Sequence, residues 1–182
     1  MPTTLRDVDA ILASFPGPVT LRPSRIKWLA MLAVVLGLVA FAVFALGHTP
    51  TNLFVQIWGW SALVFAGGGA LVVIAVLVPG SAGLTLSADG FAVTKFFRTV
   101  NTPWHVADGF TVAEIRFGPF GQPQRLIAYE HANKAGAVAD LNRRIMGRNA
   151  GLPDNYGLSH DDLAWLMTQW RERALARSSR RS

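Results

Sequence analysis

The chain has 182 residues, 51% of them hydrophobic and 15% charged, with a net charge of +6 and a pI near 10.8. Soluble domains carry roughly 25% charged residues, so the deficit points to lipid. The sequence has no cysteine, which excludes disulfides, thiolate metal sites and a cysteine nucleophile.

Residues 1–27 form a polar lead. Thr4 and Asp7 fit a capping box, and Leu5, Val8, Ile11, Leu12 and Phe15 recur at helical spacing. These predict a short amphipathic helix ending before Phe15-Pro16-Gly17-Pro18, either lying on the membrane surface or packed on the protein. From Trp28 to Val78 there is no Lys, Arg, Asp or Glu. Residues 28–46 are one apolar run, near the roughly 20 residues that cross ~30 Å of hydrocarbon. Backbone groups in lipid must pair internally, so the run is expected to be helical. It exceeds the ~7–15 residues of a signal-peptide core, so cleavage near Ala45-Leu46-Gly47 is not expected. A turn at 47–52 precedes a second run at 53–78, ended by Pro79-Gly80. Ala33 and Gly37, then Ala62, Ala66 and Ala70 beside Gly67-Gly68-Gly69, are small residues at the spacing that lets helices approach; packing within one hairpin is preferred over dimerisation.

Arg22, Arg25 and Lys27 precede the first run, the turn at 47–52 has no Lys or Arg, and Lys95 and Arg98 follow the second run. The positive-inside rule then puts both termini in the cytoplasm and residues 47–52 in the periplasm. Trp28 suits the inner interface, and Trp58 and Trp60 the outer one.

After the second run the period changes to two. Leu84 and Leu86 alternate with Thr85 and Ser87, Ala88-Asp89-Gly90 is a hairpin turn, and 91–98 reads as the returning strand. Trp104-His105-Val106 is expected to open a strand, Asp108-Gly109 to turn it, and 110–117 and 125–130 to follow as strands around a loop at 118–123. Short connections indicate an antiparallel meander. A helix is predicted over 135–146, with Ala137, Leu141 and Ile145 on one stripe. Ser159 caps a second helix, with Asp162 closing the box and Leu158 and Leu163 placed as a staple. Leu163, Leu166, Met167, Trp170 and Ala174 share its core-facing side, while Trp165 points roughly opposite. Trp165 is therefore a candidate partner contact, unless the helix is rotated to bury it. The basic end, 177–182, is expected to be disordered.

Two short-looped apolar helices, then hairpin strands with TPW at 102–104 and VADGF at 106–110, then GLPDNYGLSHDDLAWLMTQWRERAL at 151–175: this arrangement resembles small bacterial membrane proteins with a pleckstrin-homology-like (PH-like) domain behind two transmembrane helices. The resemblance runs over most of residues 20–176 and is strongest at 151–175. It implies a two-helix transmembrane hairpin plus an α+β domain at 81–176, a bent antiparallel sheet closed by the C-terminal helix. It implies no enzymatic activity. Phosphoinositide recognition through a basic first hairpin loop does not come with it, because that loop here is Ala88-Asp89-Gly90.

Chemistry-bearing constellations are sparse. His48, His105, His131 and His160 form no helical ligand pair, so no metal or cofactor is expected. His105 near Asp108, or Glu130 beside His131, could be imagined as acid–base pairs, but adjacent strand residues face opposite ways, and no catalytic residue is assigned. A helix-turn-helix built from the last two helices would lead with Asp161 and Asp162, which repel phosphate, so no nucleic-acid partner is expected. The expected function is a scaffold or interaction module tethered to the bacterial inner membrane. Its domain faces the cytoplasm, meets an unknown membrane protein or a second copy, and touches anionic headgroups weakly through Arg22, Arg25, Lys27 and the arginines from Arg173 onward. A membrane-bound enzyme with an unrecognised site and a membrane-tethered transcription regulator are the alternatives.

Overall fold

The computed structural model describes residues 5–48, 53–116 and 122–180. The Thr4 capping residue, the tip of the predicted turn at 49–52 and most of the 118–123 loop lie outside these. The chain divides into two compact units, residues 24–82 and a second unit that joins residues 1–23 to 83–182.

The first unit is a pair of helices, α2 (Arg25–His48) and α3 (Leu53–Leu77), both long and apolar enough to cross a membrane. A Cβ added at Gly59 would meet Leu46 at 2.7 Å, and one at Gly69 would meet Val35 at 4.0 Å. Those two contacts make the helices antiparallel. Close approach therefore rests on Gly59, Ala42 and Ala70, all three buried, whereas Gly37, Gly67 and Gly68 open onto free space. Small residues were expected to mark the seam, but only some of them do. Val73 is buried too, and most of the large apolar side chains of the pair are exposed. Ser81 Oγ donates to the Val76 carbonyl at 2.9 Å, satisfying one acceptor at the end of α3.

The second unit is an α+β domain. Its four-stranded sheet has the order β1 (Val19–Leu21), β2 (Ala82–Leu86), β3 (Gly90–Lys95), β4 (Arg98–Pro103). A three-stranded sheet has the order β5 (Ala107–Ile115), β6 (Gln124–His131), β7 (Ala150–Gly151). The helices are α1 (Leu5–Ala13), α4 (Ala137–Met146) and α5 (His160–Ser179). The lead is not a separate segment: β1 pairs with β2 in the register Val19↔Leu86 to Leu21↔Leu84, and Val8, Leu12 and Leu21 join the core. The amphipathic face of α1 thus packs on the protein.

α5 buries the expected face. Leu163, Leu166, Met167 and Trp170 are fully buried, and Ala174 nearly so. The Ser159 hydroxyl accepts from the Asp162 amide at 3.0 Å, and Leu158 and Leu163 are both buried. The helix continues to Ser179, so residues 177–179 are not disordered. Phe91, Trp104, Phe110 and Tyr129 form the aromatic centre, with ring centroids 5.3–6.3 Å apart. Trp104 and Trp170 both donate their indole N–H to the Ser87 carbonyl at 2.9 Å, which fastens the β2–β3 turn to α5.

Three local expectations change. Residues 91–98 are not one strand: Phe96 and Phe97 have φ of 49° and 64° and form a two-residue turn between β3 and β4. Trp104–Val106 is one turn of 3-10 helix, because Pro103 starts it and Trp104 must turn inward to be buried. Asp108-Gly109 is a bulge inside β5, with Gly109 at φ 62°.

Candidate interaction surfaces

Of the candidate acid–base groups, Glu130 and Asp108 are held in ion pairs. The Glu130 carboxylate meets Arg143 Nη2 at 2.6 Å, and this bond, ahead of other causes, holds Glu130 below the ordinary carboxylate range. Its other oxygen accepts from the Asn149 amide at 3.4 Å. Asn149 is itself buried and stitches β6 to the loop behind it. Its Oδ1 accepts from the His131 amide at 2.7 Å, and its Nδ2 donates to the carbonyls of His131 and Lys134. Asp108 pairs with Arg171 at 3.2 Å, and Arg171 Nε donates to the Ala107 carbonyl at 2.7 Å. His105 borders an open cleft of about 390 Å³ beside Asp89, Trp104 and Leu175, and its side chain is exposed. Among the described residues no group of three His, Asp or Glu could hold a metal ion. A groove of about 800 Å³ between α2 and α3 is lined only by apolar residues such as Phe41, Phe54 and Trp58.

Exposed apolar groups are the more informative feature. Trp165 is 45% exposed on α5, opposite the buried Trp170. On α4 the buried residue is Ala139, while Val138 (73%), Leu141 (54%) and Ile145 (45%) stand exposed as a stripe at i, i+3 and i+7. At 100° per residue these three fall within about 60° of one another. The sequence places Leu141 and Ile145 on one stripe with Ala137; the exposed stripe has Val138 in its place. Nothing in a period distinguishes the face that meets the sheet from one that meets something else. A third exposed group, Phe96 (47%), Phe97 (63%) and Val100 (55%), sits on the β3–β4 hairpin.

Arg22, Arg25 and Lys27 are exposed where β1 leads into α2. Trp28 is half-buried near the start of α2; Trp58 and Trp60 are exposed near the start of α3, at the opposite end of the antiparallel pair. Arg173 is exposed on α5, and its Nη1 donates to the Leu12 carbonyl at 2.9 Å, satisfying an acceptor at the end of α1. The residues behind the resemblance are structural, since Thr102, Trp104, Leu152, Tyr156 and Leu158 are all buried.

The class defined by these observations is a chain with two candidate membrane-spanning helices and an α+β domain of antiparallel sheets and a C-terminal helix. No protein-family profile matches the chain, no curated protein matches it, and no solved structure matches it.

Proposed function

We propose that the chain is a membrane-anchored interaction module whose PH-like domain faces the cytoplasm of a bacterial cell and docks a membrane-associated protein. The observation that carries this reading is the exposed α4 stripe of Val138, Leu141 and Ile145. A stable two-turn apolar stripe facing water is the kind of surface that partner helices and grooves cover. Trp165 supplies a further exposed aromatic of the type enriched at binding hot spots.

Among the described residues, seven strands in two antiparallel sheets with a C-terminal helix support the PH-like assignment. The cytoplasmic assignment is supported by Arg25 and Lys27 in the first turn of α2. Cations there oppose the helix dipole, so their placement serves topology better than helix stability. Because residues 5–23 share a core with 83–180, both ends of a membrane-inserted hairpin belong on one side.

The test is purification of the full chain from membranes in mild detergent. Leu141→Glu with Ile145→Glu, and separately Trp165→Ala, should deplete a co-purifying protein while leaving the thermal transition in place. An unchanged set of co-purifying proteins in both variants would remove the interaction reading.

A further inference from the structure

The β3–β4 hairpin ends in a turn that opposes its own stability twice. Phe96 and Phe97 occupy both central positions of a two-residue turn at positive φ. That conformation favours Asn-Gly, and a bulky residue in it is an outlier. The flanking pair is Lys95↔Arg98, two like charges directly opposite each other, which is also unfavourable. Neither Lys95 nor Arg98 forms an ion pair among the described residues. The two rings stay exposed instead of packing. Local rules broken together without an internal gain mark a place where something outside the domain supplies the compensation.

The topology indicates what lies there. The Ser87 amide donates to the Gly90 carbonyl at 3.0 Å and closes the β2–β3 turn. β3 therefore runs back alongside β2, and its far end comes level with the beginning of β2. β1 is antiparallel to β2, with Leu21 opposite Leu84, so β1 finishes at that same end. The chain leaves β1 for α2 there and enters β2 from α3 there. Both covalent connections to the apolar helices and the Phe96-Phe97 tip thus share one end of the sheet.

From this juxtaposition we infer that the Phe96-Phe97 tip is a membrane-interface anchor. The two rings enter the boundary between headgroups and acyl chains, and Lys95 and Arg98 meet anionic headgroups of the same bilayer. An apolar apex between cations is complementary to an anionic lipid surface. The inference rests on the membrane reading of α2 and α3, and it adds a second attachment that fixes how the domain faces the bilayer.

The sequence has no cysteine, so one introduced cysteine takes a unique spin label. The full chain is placed in nanodiscs of phosphatidylcholine with phosphatidylglycerol, carrying a label at Phe97→Cys, Phe65→Cys or Asn101→Cys. The label at 97 should be shielded from an aqueous nickel chelate and reached by oxygen, and it should lose shielding when phosphatidylglycerol is omitted or salt is raised. If the label at 65 lies in hydrocarbon while that at 97 is as open to the chelate as that at 101, the tip is in water and the inference fails alone. An open label at 65 removes the membrane reading together with it. Equal shielding in phosphatidylcholine alone overturns the anionic assignment, and spin–spin broadening at 97 assigns the tip to a second copy instead. A variant that keeps the hairpin guards against misfolding. Phe96→Asn with Phe97→Gly suits the turn better, so it should hold or raise the melting temperature, yet in the discs trypsin should cut faster after Lys95 and Arg98. Unchanged or slower cutting there would also overturn the inference.

Discussion

Two tryptophans five positions apart on α5 separate core from surface. Trp170 is fully buried, donates to the Ser87 carbonyl and meets Phe15 edge-on at 5.4 Å. Trp170→Ala should cost ~3–5 kcal/mol in a denaturation experiment on the full chain in detergent. Trp165→Ala should cost no more than about 1 kcal/mol, as a half-exposed position away from such features. Equal losses would make Trp165 a core residue and remove it from any contact surface. Tyr156 has a different vulnerability. It is buried, and its hydroxyl has no hydrogen-bond partner among the described residues. Burial, followed by the charge of Asp154, pushes its phenol well above its ordinary value. A raised folded-state value favours the neutral form. The stability this contributes is complete below about pH 10, where the unfolded tyrosine ionises, and is lost as pH rises above it. Tyr156→Phe should therefore be neutral or stabilising at pH 7 and should flatten the alkaline fall in melting temperature. Tyr129, also raised by burial, should leave part of that fall in place. An unchanged alkaline limb would show that Tyr156 does not control it.

Among the elements, those with a strong period were readable. The two apolar runs are observed as α2 and α3 within three residues at each end, and the buried face of α5 follows the 3.6 spacing of Leu163, Leu166, Met167, Trp170 and Ala174. The β3–β4 turn was not readable, because Phe-Phe lacks the Asn or Gly that signals positive φ and continues the strand's apolar pattern instead. β1 was hidden for another reason: Val19-Thr20-Leu21 is too short for a period to show, and its partner lies beyond both apolar helices. The Arg171 and Arg173 bonds to carbonyls were equally invisible, since nothing local distinguishes a tethered arginine from a solvated one. Gly90 had a turn signal, but its tightest constraint is tertiary. A Cβ there would lie 2.4 Å from the Thr102 carbonyl oxygen and 2.9 Å from the Pro103 Cα. Backbone must shift to admit it, so Gly90→Ala should destabilise the domain by ~1–3 kcal/mol, read as a lower denaturation midpoint. Gly68→Ala, which meets nothing within 4 Å, should leave it unchanged.

For the whole molecule, the decisive feature is that one polar domain is assembled from both sides of a helical hairpin. Ser14→Cys and Ser159→Cys, both at exposed positions, should react with an impermeant reagent from the same face of sealed vesicles. Reaction from opposite faces would break the shared core in the membrane-inserted protein. The same architecture imposes a schedule. At roughly 5–20 residues per second of synthesis, α1 leaves the ribosome about ten to thirty seconds before α5 exists to cover it. During that interval Val8 and Leu12 lack their neighbours on α5, and the apolar face of α1 is available to any nearby surface, the bilayer included. A maleimide should modify Val8→Cys rapidly in chains stalled just after Ser159 and slowly once α5 has emerged. Equal rates would mean that α1 finds its cover without α5. α5 is thus the helix that covers α1, and the shared core closes only after α5 has been made.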